Sequence, residues 1–334
     1  MKKTVSFSKN AANLFLHILT RCNLKCAHCY INPHQHGDQI LSLKTIETWL
    51  NGFNINRSNA NLVLLGGEPT LHPKLSTIVK RSKAMGFNSV TVDTNGYLFH
   101  DFINKVTPEY LDALSFSLDG ATAAINDPLR GKGSFDKCVA GIQTAKEKGF
   151  NVSLIYTVSN ANIHQLDQMV PLVDQLSIDR FFIQVIGIRG TSVQNAASDG
   201  IQQVPRTLWE TIIPKVAQRV ADIGITVTYP KVFLKSSERF ECAGNVADNY
   251  FIFPNGRVYQ CPLCEDYPLH SFQFIDNQLV STPRINENDL FQLNIPEGCV
   301  MNKIIQPGNI EYMDDGAPMH RIACCLLKDE IRKV

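Results

Sequence analysis

Cys22, Cys26 and Cys29 stand at C-x-x-x-C-x-x-C spacing between Thr20 and Tyr30. Three thiolates on one tight loop can hold three irons of a [4Fe–4S] cluster and leave the fourth iron open to a small chelating ligand. Zinc is the alternative, although a zinc site built from one loop usually pairs C-x-x-C with a second, distant pair. The loop follows the apolar run 14–19, which reads as a buried strand. The cysteines therefore lie past the C-terminal end of a strand, the face where parallel α/β barrels carry out chemistry.

The elements that must position this loop are legible as a period. Six apolar strand-like runs near 14–19, 61–65, 89–93, 113–118, 152–158 and 181–186 alternate with helical patterns near 42–53, 74–85, 100–107, 134–149, 164–176 and 207–223. Such alternation means parallel pairing and right-handed crossovers. Six units are fewer than the eight of a closed barrel, so the reading is α/β: a partial (β/α)6 TIM-like barrel with a lateral mouth. After 225–230 helical periodicity fades and Cys, Pro, Asn and Asp become frequent, which places a boundary near residue 235. Residues 1–235 form the barrel on this reading. Residues 236–334 form a small cysteine-rich domain, with a β-hairpin turning at Pro254-Asn255-Gly256.

Further strand ends carry polar and glycine-rich segments. Gly66-Gly67-Glu68-Pro69-Thr70 ends the second run, where a ligand can approach a backbone without Cβ and the Glu68 carboxylate can accept from an ammonium. Thr94-Asn95-Gly96 closes the third, and Ser115, Ser117 and Asp119 alternate along the fourth. The plain alternatives are a strand-to-helix turn and an Asp-Gly turn. Arg130-Gly131-Lys132-Gly133-Ser134-Phe135 follows, with Ser134 a natural helix N-cap.

On these residues the chain resembles the radical S-adenosylmethionine (radical SAM) superfamily. Cys22, Cys26 and Cys29 match its cluster motif and Tyr30 the aromatic residue after it. Gly66, Gly67, Glu68 and Pro69 match the motif that binds the amino group of SAM, and Thr94 with Asn95 and Ser117 with Asp119 match later segments facing SAM. The resemblance further implies that Arg130 binds the SAM carboxylate and that Asn162 and Ile186 lie in the regions holding the rest of the cofactor. It implies reductive cleavage of SAM to a 5′-deoxyadenosyl radical that removes a hydrogen atom from a substrate C–H bond. A reductase such as flavodoxin or ferredoxin is the implied electron donor.

Six more cysteines lie in the tail: Cys242, Cys261, Cys264, Cys299, Cys324 and Cys325. The opening from Cys242 through Gly256 to Cys261 resembles SPASM and twitch domains, extensions that bind auxiliary [4Fe–4S] clusters. One auxiliary cluster is implied, held by Cys242, Cys261 and Cys264, with the fourth ligand among Cys299, Cys324 and Cys325; zinc is again the alternative. A cysteine left over among those last three is a candidate hydrogen-atom donor. Cys138, alone in a helical stretch, reads as a small core residue.

Composition narrows the partners. Net charge is +1, which gives no electrostatic case for nucleic acid, and no apolar run reaches the ~20 residues of a membrane span. Cysteines at metal-ligand spacing and no signal-peptide cleavage site point to the cytoplasm. The substrate expected from the resemblance is a ribosomal peptide or protein that is crosslinked, epimerised or oxidised. A sugar or aminocyclitol is the alternative, as is a non-catalytic metal-binding or electron-transfer protein. Nothing before residue 10 resembles a leader-peptide-binding domain, so leader-guided modification implies a separate partner.

Overall fold

The computed structural model describes residues 1–190, 192–193, 201–235 and 237–333 of the 334. Its strands, in chain order, are β1 (Lys2–Val5), β2 (Ala12–Leu19), β3 (Ala60–Gly66), β4 (Ser89–Thr94), β5 (Ala113–Ser117), β6 (Val152–Val158), β7 (Arg180–Val185), β8 (Thr226–Pro230), β9 (Phe233–Leu234), β10 (Asp248–Ile252), β11 (Arg257–Tyr259), β12 (Phe272–Ile275), β13 (Gln278–Ser281), β14 (Arg321–Ile322) and β15 (Lys328–Ile331).

Alternation decides which side of each strand is dry. In β2, Ala12, Leu14, Leu16 and Ile18 share one apolar core with Ile46, Trp49 and Leu50 of the helix Leu43–Gly52. Asn13, Phe15 and His17 take the opposite face. The same pattern repeats in β3 through β7, and β2 to β7 pair in parallel in sequence order. The six sequence-predicted strands are thus all present and parallel, and the fold is an α/β partial barrel.

Two additions go beyond the sequence reading. β8, which lies where periodicity fades, pairs in parallel with β7 and adds a seventh strand. On the other side β10 pairs in parallel with β2, in register Phe251 to Phe15, and those two rings stack 4.7 Å apart. Eight parallel strands therefore run in order β10-β2-β3-β4-β5-β6-β7-β8. Antiparallel strands cover both edges: β15 and β1 beyond β8, and the meander β11-β12-β13 beyond β10. Covered edges leave no row of unpaired backbone groups on the parallel core. The expected hairpin is β10–β11, and Trp49 stacks on Phe274 of β12 at 4.5 Å, fixing the meander to a barrel helix. The sheet is continuous across residue 235.

Helices fall where expected, with three corrections. The pattern at 164–176 opens as a 3-10 stretch, Ile163–Gln168, before the α-helix Met169–Gln175. The pattern at 100–107 is a 3-10 turn, Phe99–Asp101, and a single turn of α-helix, Phe102–Lys105. Ser134 is not an N-cap. Gly133, at φ 78°, takes that place and Ser134 is the first residue of the helix Ser134–Glu147. The capping acceptor is Asp127, from the preceding helix Ala123–Arg130, which receives the backbone N–H groups of Gly133 and Phe135. Cys138 is a core residue, 1% exposed.

Candidate active site

The cysteine loop is held from both sides. On the β3 side, the N–H groups of Gly67 and Glu68 donate to the carbonyls of Leu19 and Arg21. A Cβ on Gly67 would lie 2.2 Å from the Arg21 carbonyl oxygen, and one on Gly66 2.1 Å from that of Leu19. Glycine is required here because the cysteine loop's own backbone presses against the turn.

Glu68 is fully buried. Its Oε1 accepts from the Thr70 amide and hydroxyl and, at 2.8 Å, from the Thr94 hydroxyl; its Oε2 accepts from the Asn95 amide at 2.7 Å. Burial pushes its carboxyl above the usual range, and these four donors pull it back. The carboxylate expected to receive an ammonium thus ties Pro69-Thr70 to the Thr94-Asn95 corner. Asn95 in turn donates from Nδ2 to Asn23 Oδ1 at 2.8 Å, with Cys22 Sγ 3.8 Å away.

On the opposite side Asp119 organises the contacts. Its Oδ2 lies 2.5 Å from Arg130 Nε and 3.1 Å from His28 Nε2, and its Oδ1 accepts from the Thr157 amide. Burial alone would raise this carboxyl, but Arg130 and His28 hold it well below the usual range. Arg130 passes the connection on: the Cys26 thiol lies 3.8 Å from its carbonyl oxygen, and the Ala27 amide donates to the Leu129 carbonyl. Asn162 is buried and donates from Nδ2 to the carbonyls of Asp119 and Thr157. Ile186 is buried with Leu129, and Ala27 packs against that cluster. Ser117, half-buried, ends β5 on the lumen face.

Glu68, Asn95, Asp119 and Arg130 thus each contact the cysteine loop. The charged ones among them have protein partners: Arg130 faces Asp119, and Glu68 faces Thr70, Thr94 and Asn95. Burial raises the Cys22 thiol and pushes Cys26 up to about 12.

Four residues were missed: His28, Arg189, Glu265 and His17. His28 lies between two of the cysteines, which was a signal in itself. Arg189 stacks over the Tyr30 ring at 4.8 Å and pairs with Glu265 at 2.6 Å, and Tyr30 meets His17 at 2.7 Å. Glu265 follows Cys264, so this chain of contacts links the cysteine loop to the second cysteine group; no periodicity marks Arg189 for it.

The tail brings all six of its cysteines together. Cys261 and Cys264 act on each other's thiols, as do Cys324 and Cys325, while Cys242 and Cys299 each feel the charge of Cys261 and Cys324. Glu287 accepts from the amides of Gln260, Cys261 and Ser271 and so fixes the turn that carries Cys261. The backbone links Cys299 to Ile322 at 3.2 Å. Among the described residues, no three Cys, His, Asp or Glu groups are drawn into a site for one ion.

Residues 16–173 match the model of the Radical SAM superfamily. A pre-heme d1 synthase of Dinoroseobacter shibae is 28% identical over 207 residues, 61% of this chain and 50% of that protein. A probable GTP 3',8-cyclase of Sulfolobus acidocaldarius is 26% identical over 178 residues, 53% of this chain and 56% of that protein. The chain spans about half the length of these curated relatives. Among solved structures, Streptococcus suis SuiB bound to precursor peptide SuiA superposes with a TM-score of 0.67 at 16% identity, over 89% of this chain and 74% of that one. Native anSMEcpe with bound AdoMet gives 0.51 at 14% identity, over 91% of this chain and 85% of that one. At such identities the structural likeness is one of fold. The family match, the cysteine loop at the C-terminal end of β2 and the parallel partial barrel lead to one conclusion: residues 16–173 form a radical SAM domain, and members of that superfamily are enzymes that bind a [4Fe–4S] cluster and S-adenosylmethionine.

Proposed function

We propose that the chain is a radical SAM enzyme that modifies a peptide or protein, with Cys22, Cys26 and Cys29 holding the catalytic cluster. The observation that carries this is the loop's setting: three cysteines on one turn, pinned to Gly67 and Glu68 by backbone and to Asn95 by side chain. A donor set of three soft thiolates fits a cluster with one open iron. When bound there, the cluster and SAM supply a carbon-centred radical for hydrogen abstraction. The protein's part is positional. The backbone at Gly66 and Gly67 would hold the amino end of SAM, and Thr94, Asn95 and Ser117 would supply further contacts to it. Arg130 and Glu68 hold these segments through Asp119 and Thr94, and Asn162 and Ile186 close the far side.

The six tail cysteines fit one auxiliary [4Fe–4S] cluster, with Cys242, Cys261 and Cys264 as three ligands and the fourth among Cys299, Cys324 and Cys325. A peptide substrate is favoured because the likeness to SuiB, whose structure holds a precursor peptide, extends over 89% of this chain and so includes the cysteine-rich tail. The named relatives favour the second reading, a small molecule, but match only 53–61% of it. A flavodoxin or ferredoxin supplies electrons. None of the ten cysteines is disulfide-bonded, in keeping with a reducing cytoplasm.

Anaerobic reconstitution tests this reading. Wild type should hold about eight irons and form 5′-deoxyadenosine from SAM with a strong reductant. Replacing Cys22, Cys26 and Cys29 together by Ala should leave about four irons and no product. Zinc in place of iron, or a loaded protein inert toward SAM, would refute it.

A further inference from the structure

Past β7 the chain touches both cysteine groups. The Arg189 guanidinium lies 4.8 Å from the Tyr30 ring centroid, and its Nη1 is 2.6 Å from Glu265 Oε2. The Gly190 amide donates to Asp266 Oδ2 at 2.5 Å, and the Ser192 amide to the Cys29 carbonyl at 3.1 Å. Gly190 takes φ 62°, and a Cβ there would stand 2.1 Å from the Tyr30 carbonyl oxygen, so only glycine lets this backbone lie against the cysteine loop. A second bridge runs through His36. Its Nδ1 accepts from the Asn32 amide at 3.1 Å, which leaves Nε2 to donate to the Glu265 carbonyl at 3.1 Å.

Both bridges start within three residues of Cys29 and end within two residues of Cys264. Glu265 is 1% exposed and the Arg189 side chain 17%. If either end of such a pair moves, the other is left as a poorly solvated, unpaired charge. Arg189 is therefore held firmly only when the turn carrying Tyr30 and the turn carrying Glu265 are both in place. A contact with two such states, biased from both ends, is what makes two sites depend on each other.

We propose that Arg189 and Glu265 are positioning residues that couple the two cysteine groups, so that filling the tail group orders the Cys22–Cys29 loop and filling the loop orders the tail. With metal bound, Cys261 and Cys264 fix one turn, that turn sets Glu265 and Asp266, and these hold Arg189 and Gly190 against Tyr30. By linkage the same contacts act with equal strength in the opposite direction. This rests on the reading that both groups hold metal, and goes past it by naming the residues through which one site senses the other.

The test is hydrogen–deuterium exchange of amides 20–30 in the anaerobically reconstituted full chain, with the buried strand β6 as the control for folding. Wild type, Arg189→Met, the triple variant Cys242→Ala/Cys261→Ala/Cys264→Ala and the combination of the two form a cycle. Emptying the tail should speed exchange in 20–30 on the order of tenfold while β6 stays protected. Arg189→Met, with every cysteine intact, should give a similar acceleration, and the combined protein should stay within about twofold of the triple variant. A purely local role for Arg189 would instead multiply the two effects, to about a hundredfold. That result, or a triple variant whose loop exchanges like wild type, overturns the proposal. If the triple variant loses β6 protection, Glu265→Gln takes its place in the cycle and the same two outcomes decide. A wild type that loads zinc or never cleaves SAM refutes the function proposed above, while exchange in 20–30 still reads the coupling between the two groups.

Discussion

At the scale of single residues, the acids nearest the cysteine loop serve other protein groups. Glu68 accepts four hydrogen bonds in a site closed to water, and Asn95, one of its partners, reaches the loop. Glu68→Gln presents an amide NH2 to a donor and leaves at least one buried group unsatisfied. The expected cost is about 2–3 kcal/mol in denaturant unfolding, with reduced iron retention at the Cys22 loop because the Asn95 corner loosens. A variant as stable as wild type, with full iron, would show that the corner is held by other contacts. The motif was legible at Glu68 because its type and neighbours are distinctive. Its partners were not, since Thr94 and Asn95 arrive from a strand 26 and 27 residues away.

At the scale of elements, the junction between the helices Ala123–Arg130 and Ser134–Glu147 decides where Arg130 sits. Asp127 caps the second helix from the last turns of the first, taking the Gly133 amide at 2.6 Å, the Phe135 amide at 3.0 Å and the Ser134 hydroxyl at 3.2 Å. Asp127→Ala should cost about 1–2 kcal/mol of stability, and thermal unfolding of the full chain measures it. A change below a few tenths would mean that Gly133 alone sets the turn. Sequence reasoning chose Ser134 because serine at a helix start is a common cap. The left-handed Gly133 displaced it by one position, and only the path of the turn shows this.

At the scale of the molecule, Phe253, just past β10, is clamped between two histidines of the N-terminal part, His17 and His36, each ring 4.0 Å away. Burial pushes His17 down to about 3 and His36 down to about 4. The unfolded chain keeps ordinary histidines near 6.5, so below that pH it binds more protons than the folded chain. The stability these rings contribute is present at pH 7 and is lost as pH falls toward about 4. Because the unfolded histidines are already half protonated at pH 6.5, unfolding at pH 5.5 should be easier by about 2 kcal/mol than at pH 6.5, roughly 1 kcal/mol for each ring. Urea midpoints across that range measure it, and a flat profile would mean that water reaches both rings in the folded state. The same clamp shows why the eighth parallel strand escaped sequence reasoning. β10 pairs with β2 across more than 230 residues, and nothing in a hairpin's local pattern says which strand it will lie beside.

The sequence by itself determined what depends on near neighbours: six strands by their apolar runs, most helices by their period, and the cysteine loop with its glycine turn by residue type and spacing. These follow from local sterics, burial pattern and ligand chemistry. Tertiary structure alone decided what depends on which distant groups meet. It gave Asp119 to Arg130 and His28, and brought six cysteines from residues 242 to 325 close enough to feel one another's charge. A side chain's type limits the partners it can satisfy, but its choice among them is fixed only when the fold has excluded water and brought one of them within reach.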